Sequence, residues 1–118
     1  MKANIAGYAF AVSGPSAANS GASSSGGLNF IYINGLAANG KAIQIILTNV
    51  TAAGTYPFGS GNAQAYYYSS GGFQGAGSYA ASGSVSVTSF SPDIIGTFNF
   101  TTTDNVVITG GSFRVTAQ

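Results

Sequence analysis

The sequence predicts an all-β fold, an antiparallel β-sandwich or flattened barrel of roughly nine short strands. Apolar and polar residues alternate with the period of two that is typical of strands with one buried face, as at Phe98, Asn99 and Phe100. The sequence contains no helical period of three or four, and its 18 glycines recur too often for stable helices. A chain of 118 residues is long enough for one hydrophobic core, so a single domain over residues 1–118 is expected.

The N-terminal region contains one predicted strand and one predicted loop. Residues 2–12 read as a strand with Ile5 and Phe10 among its larger side chains, and Gly7 interrupts the alternation. Residues 13–27 are rich in Ser, Gly and Ala. Such a run buries too little apolar surface to offset the entropy of ordering it, so a flexible surface loop is predicted.

The strongest local prediction is a β-hairpin formed by residues 28–36 and 41–48. Asn39-Gly40 lies between these strands and favours the positive φ values of a type I′ turn. The second strand has two alternating sets of side chains, Ile43, Ile45 and Leu47 on one face and Gln44, Ile46 and Thr48 on the other.

The middle of the chain contains shorter predicted strands. Residues 54–59 form a short extended segment, and Pro57 places it at a sheet edge or at the start of a strand. A tyrosine-containing strand is predicted over residues 63–70. After a Gly-Gly turn, two further strands are predicted over residues 73–80 and 82–90.

The C-terminal region is predicted to form a long hairpin. Phe98 and Phe100 lie on one face of its first strand, and Asp104-Asn105 supplies the turn. The returning strand is interrupted at Gly110-Gly111, which predicts a β-bulge. This hairpin is expected to anchor the core.

Several short motifs follow one another in a recognisable order. They are Asn39-Gly40, Ile43 to Leu47, Gly54-Thr55-Tyr56, Ser82 to Thr88, Gly96 to Phe100 and Gly111 to Val115. This order resembles a group of small, uncharacterised bacterial surface-lipoprotein domains. The resemblance implies an all-β fold and an exported, surface-tethered parent protein, and it implies no activity and no catalytic residues. The chain departs from that pattern in its low charge and in lacking a lipid-bearing cysteine.

The composition argues against several classes of partner. Only 4% of the residues are charged, compared with about 25% in an average soluble domain. The net charge is +1, and the three basic residues form no cluster of the kind that binds nucleic acid or anionic lipid. No window approaches the roughly 18 apolar residues of a membrane-spanning helix, so no transmembrane segment is predicted.

The sequence offers few groups for catalysis. It contains no His and no Cys, and its only acidic residues are Asp93 and Asp104, both in turn-like contexts. A Ser–Lys pair would have to use Lys41, which is expected to stay solvated beside the Asn-Gly turn. We therefore predict no catalytic residue, no metal ligand and no cofactor, and we do not expect an enzyme.

The tyrosines are the candidate binding residues. Three are consecutive and two lie near them in sequence, and the set is Tyr56, Tyr66, Tyr67, Tyr68 and Tyr79. Because strand side chains alternate, Tyr66 and Tyr68 are expected on one face and Tyr67 on the other. An exposed set would offer a stacking surface for a glycan or a partner protein. Cross-strand packing that only stabilises the sheet is the simpler interpretation.

These observations favour a non-enzymatic structural or interaction module at the cell surface or outside the cell. The richness in Gly, Ser, Thr, Ala and Tyr suggests that location. Since few charges guard the strand edges, a self-assembling fibre or matrix subunit is an alternative, in which residues 2–12 are donated to a neighbouring copy. Folding back within one chain is the simpler expectation. A glycan-binding module that uses exposed tyrosines is the further alternative.

Overall fold

The described residues form ten β-strands, and the prediction of an all-β fold is confirmed. A computed structural model describes residues 2–11, 18–25, 28–36, 40–50, 52–59, 61–69, 71, 77–89 and 93–116, and no helix occurs among them. The strands are β1 Lys2–Ile5, β2 Tyr8–Ala11, β3 Ala18–Ser25, β4 Leu28–Leu36, β5 Ala42–Thr48, β6 Gly54–Pro57, β7 Ala63–Tyr68, β8 Gly77–Ser89, β9 Asp93–Thr102 and β10 Val107–Thr116.

The strands form one curled antiparallel sheet with the shape of a half-barrel. Nine of them follow one another in the order β2-β1-β10-β9-β8-β7-β5-β4-β3, and β6 pairs with β8 off this path. The sheet curls far enough for β3 to approach β10. The inner surface of the curl therefore encloses the core.

Strand β8 connects the two halves of the sheet. Its first residues pair with β7, as in Gly77↔Tyr68, and its later residues pair with β6, as in Val87↔Gly54. Two separate strands were predicted over 73–80 and 82–90, and this prediction is wrong for the described part. The register with β9 shifts between Ala80 and Ser82 without ending the pairing, so one bulged strand replaces two. Residues 73–76 and 90 lie outside the described residues.

The N-terminal segment forms two strands where one was predicted over residues 2–12. Ala6 and Gly7 both have positive φ values, 50° and 87°, which reverse the chain between β1 and β2. Strand β1 then pairs with β10, and β2 pairs with β1. The interruption of the alternation at Gly7 is therefore a hairpin turn, where the sequence suggested only a bulge.

Strand β3 lies within the segment that was predicted to be a loop at residues 13–27. Its eight residues pair with β4 from Ala18↔Gly35 to Ser25↔Leu28. Pairing in a ladder uses backbone N–H and C=O groups, so a run of small side chains is able to form a strand at a sheet edge. Residues 12–17 and 26–27 lie outside the described residues.

The hairpin of β4 and β5 is confirmed, with Leu36 opposite Ala42. Residues 37–41 therefore connect the strands, which is longer than the two-residue turn typical of Asn-Gly, although Gly40 does have a positive φ of 86°. Residues 37–39 lie outside the described residues. The predicted edge position of the Pro57 segment also agrees with β6, whose described pairing is with β8.

The core occupies the inner face of the curl and draws on nearly every described strand. The predicted alternation in β5 is confirmed, because Ile43, Ile45 and Leu47 are fully buried. The buried apolar residues elsewhere include Ala3, Ile5, Phe10, Ile31, Ile33, Ala65, Val85, Val87, Ile94, Phe98, Phe100, Ile108 and Phe113. These residues form a single cluster, as expected for one domain with one hydrophobic core.

The predicted C-terminal hairpin is also confirmed. Strands β9 and β10 pair from Val107↔Thr101 to Thr116↔Asp93, and Asn105 in the connecting turn has a φ of 67°. The register shifts between Ile108 and Gly111, which is the bulge that the consecutive glycines predicted.

Candidate binding surfaces

Tyrosine and amide side chains lie together on the outer surface of β5, β7 and β8. The register places Gln44 opposite Tyr66, and Tyr66 opposite Tyr79. Tyr68 and Gln64 share the outer face of β7, because the residues between them alternate to the buried face. We call the surface formed by Gln44, Gln64, Tyr66, Tyr68 and Tyr79 the tyrosine face.

The rings of the tyrosine face are held by local packing. The Tyr66 and Tyr68 rings are stacked, with centroids 6.5 Å apart and planes inclined by 29°. The Tyr68 ring also lies over Gly77, where a Cβ atom would come within 2.8 Å of Cδ1. Tyr79 extends further into solvent, with 56% of its surface exposed. The face thus combines two supported rings with one that protrudes.

The pKa of the Tyr68 hydroxyl is raised above its ordinary value. Burial raises its pKa, and the neighbouring Tyr66 raises it further. A protonated phenol both donates and accepts hydrogen bonds. The side-chain amides of Gln44 and Gln64 supply further donors and acceptors at the same surface, so the face offers apolar ring surface and neutral polar groups side by side.

Two of the predicted binding tyrosines lie elsewhere. Tyr67 points to the inner face, where it is only 6% exposed, as the alternation predicted. Tyr56 is half-buried against the core, and its hydroxyl donates a hydrogen bond of 2.7 Å to the Ala52 carbonyl oxygen. Three of the five, Tyr66, Tyr68 and Tyr79, therefore share the outer surface. The two glutamines were missed, although the same alternation places them beside these rings.

A cavity of about 570 Å³ lies at one end of the curl, between the β1–β2 hairpin and the ends of β5 and β7. Its lining includes Ile5, Tyr8, Phe10, Lys41, Tyr67, Ser69 and Val106. Lys41, which was expected to stay solvated beside the turn, is half-buried and lines this cavity.

Asp104 serves the turn between β9 and β10, in agreement with its interpretation as a turn residue. The Thr102 hydroxyl donates a hydrogen bond of 2.6 Å to Asp104 Oδ1. Hydrogen bonds from the Thr102 and Ser78 side chains hold the pKa of Asp104 below its usual value. The side chain of Asp93 lies outside the described residues. Among the described residues, no three His, Cys, Asp or Glu side chains lie together as metal ligands do.

Comparison with known proteins identifies one family model. It is described as "Domain of unknown function (DUF6252)", and it matches residues 16–116. The matched range contains β3 to β10 and therefore the whole tyrosine face, whereas β1 and β2 precede it. No curated protein and no solved structure matches the chain. Within the described residues, no helix has the length and apolar character needed to cross a membrane.

Proposed function

The chain belongs to the DUF6252 family, a domain family of unknown function, and we propose that it is a non-enzymatic interaction module of the cell surface that binds neutral glycans. The observation that carries this proposal is the tyrosine face. The surface location is supported by the Gly-, Ser-, Thr- and Tyr-rich composition and by the motif order that resembles surface-lipoprotein domains. In this proposal the parent protein is exported and tethered at the cell surface.

The chemistry of the face suits a sugar. Tyrosine supplies a rigid amphipathic ring with a hydroxyl at its tip, so one residue offers both apolar contact and a hydrogen bond. The Tyr66 and Tyr68 rings lie next to each other at an interplanar angle of 29°, and their partly exposed surfaces would contact the apolar face of a pyranose ring. Gln44 lies opposite Tyr66 and provides amide groups for sugar hydroxyls.

The absence of charged side chains from the tyrosine face favours an uncharged ligand. The described residues that form the tyrosine face include no ionisable group other than phenols. A tyrosine phenol is uncharged at neutral pH, and the raised pKa of Tyr68 acts in the same direction. An acidic polysaccharide would gain no ion pair from these five side chains, whereas a neutral one needs only stacking and neutral hydrogen bonds.

A glycan array with the intact chain tests this function. We expect binding to one or a few neutral glycans, and we expect Tyr66→Ala or Tyr79→Ala to weaken it by about threefold to tenfold, the effect of losing one aromatic contact. Tyr8→Ala is the matched control, because Tyr8 is 78% exposed but lies on β2, away from the tyrosine face. Failure of the folded chain to bind any glycan would refute the proposal. An equal loss of glycan affinity in all three alanine variants would refute it as well.

Self-association through the sheet edges is a second candidate function. The two end strands of the sheet are β2 and β3, with sequences Tyr-Ala-Phe-Ala and Ala-Asn-Ser-Gly-Ala-Ser-Ser-Ser, and neither contains a charged residue. Charged side chains on edge strands are a common protection against sheet-to-sheet pairing. Light scattering over a range of concentrations distinguishes the two functions, because a monomer at all concentrations would exclude a fibre or matrix subunit.

A further inference from the structure

The cavity at the end of the curl has a polar corner formed by β5 and β7. Ile43 of β5 lies opposite Tyr67 of β7. Lys41 lies two residues before Ile43, Ser69 lies two residues after Tyr67, and Lys41, Tyr67 and Ser69 all line the cavity. The lining therefore includes one basic side chain and two hydroxyl-bearing residues at this corner.

The rest of the lining is mostly apolar. It consists of residues of the β1–β2 hairpin together with Val106, and the hairpin residues are Ile5, Ala6, Tyr8, Ala9, Phe10 and Ala11. Ile5 and Phe10 belong to the buried core, and Val106 packs against it. Small-molecule sites are commonly concave and mostly apolar, with a few polar groups that fix the ligand's orientation, and they are found at the mouths of β-barrels.

We infer that this cavity binds a small amphiphilic carboxylate, with its carboxylate at Lys41 and its apolar chain against Ile5, Phe10 and Val106. Among the described residues that line the cavity, Lys41 is the only one with a formal charge. An anionic head group is therefore the complementary partner, because a cationic one would meet only repulsion there. Tyr67 and Ser69 also line the cavity, and their hydroxyls are suited to donate hydrogen bonds to a carboxylate.

The size of the cavity fits such a ligand. A volume of about 570 Å³ lies within the range of about 300–1,000 Å³ that is typical of small-molecule pockets. A carboxylate with a linear chain such as decanoate occupies part of this space and covers the apolar lining. The site is separate from the tyrosine face, which lies on the outer surface of the sheet, so this inference does not depend on glycan binding.

Isothermal titration calorimetry with decanoate, below the concentration at which it forms micelles, tests the inference. We expect one molecule to bind per chain, with decanol and decyltrimethylammonium each bound at least tenfold more weakly. Lys41→Gln should weaken decanoate binding to the level of decanol. Lys2→Gln is the matched control, since Lys2 is an exposed cation on β1 that does not line the cavity, and it should leave the affinity unchanged.

The location of binding is checked by NMR, which also separates this inference from the proposed function. Decanoate should shift the signals of Ile5, Phe10 and Val106, and Tyr66→Ala should not alter its affinity. The inference is overturned if the folded wild-type chain binds no decanoate, if it binds decanol equally well, or if Lys41→Gln has no effect. Shifts confined to the tyrosine face would overturn it as well, whatever the glycan array gives.

Discussion

The ring of Phe98 lies directly over Gly111 on the neighbouring strand. The two residues are opposite each other in the β9–β10 register, and a Cβ atom at Gly111 would come within 2.5 Å of Cδ2 and Cε2 of the ring. In the next pair on the same face of these two strands the arrangement is reversed, and Phe113 of β10 lies over Gly96 of β9. The Phe98 and Phe113 rings then stack, with centroids 6.2 Å apart.

This relationship explains two motifs in the sequence. Gly96-Thr97-Phe98 and Gly111-Ser112-Phe113 each contribute one glycine and one ring, and each ring covers the glycine of the other motif. An aromatic side chain that covers a cross-strand glycine restores packing that the missing side chain would have supplied. The motifs are therefore structural, and they fix the register of the closing hairpin next to its bulge.

The first prediction concerns the Phe98–Gly111 pair. Gly111→Ala should lower the free energy of unfolding by about 1–3 kcal/mol, because the added methyl group displaces the Phe98 ring in a packed core. In a Phe98→Ala background, Gly111→Ala should lower the free energy of unfolding by a smaller amount, because the ring that it would displace is absent. Chemical denaturation of the two single variants and the double variant measures this coupling.

The control for this cycle is Gly54→Ala. A Cβ atom at Gly54 would lie 3.4 Å from the Tyr56 hydroxyl, which is an ordinary van der Waals contact, so little loss of stability is expected. Equal costs for Gly111→Ala with and without the Phe98 ring would contradict the proposed packing.

The second prediction concerns the core contribution of the same strand. Phe98 and Phe100 are both 2% exposed, and Phe100 also meets Phe58 edge to face at 5.6 Å. Phe98→Ala or Phe100→Ala should each lower the free energy of unfolding by about 3–5 kcal/mol. Asn99→Ala, between them on the exposed face, should change it by no more than about 0.5 kcal/mol. Losses of similar size at Asn99 and Phe100 would mean that the buried face is assigned wrongly.

Much of this architecture follows from local patterns in the sequence. The alternation in β5 and β9 identified the buried face, since a one-residue shift would move every apolar side chain to solvent. The paired glycines at 110 and 111 identified the bulge. These features depend on residues close together in the chain, which is why they were predictable.

Other features depend on pairing between distant segments. β3 has no apolar pattern of its own and forms a strand because β4 supplies its hydrogen-bonding partners. Strand β8 continues past the register shift between Ala80 and Ser82 and through Gly83, which has a φ of 116°, because β9 pairs with β8 on both sides of the shift. The polar corner at Lys41 likewise depends on the register between β5 and β7, which no local motif specifies.

The third prediction concerns Asp104 and Thr102 in the β9–β10 turn. Thr102 is 1% exposed, and its hydroxyl donates to Asp104 Oδ1 while accepting a hydrogen bond of 3.0 Å from the Val106 N–H. Thr102→Val keeps the shape of the side chain but removes both bonds. The Val106 N–H then lacks its acceptor, which alone should lower the free energy of unfolding by about 1–3 kcal/mol. Chemical denaturation at neutral pH measures this change.

The pH dependence of stability follows from the lowered pKa of Asp104. Because this pKa is lower in the folded chain than the roughly 3.9 of an unfolded aspartate, the charged carboxylate stabilises the fold above that value. The contribution is lost as the pH falls through the folded pKa. The stability difference between the wild type and Asp104→Asn should therefore be constant at neutral pH and shrink below about pH 5.

NMR titration of the Asp104 carboxyl group tests the cause of this effect. Its pKa should lie below the unfolded value in the wild type and rise in Thr102→Val, since the Thr102 hydroxyl is the largest contributor to the lowered pKa. In Thr102→Val, the hydrogen bond from the Ser78 side chain should still hold the pKa of Asp104 partly below the unfolded value. Ser78→Ala should therefore raise the pKa less than Thr102→Val does, and the reverse order would show that the turn is held mainly from β8.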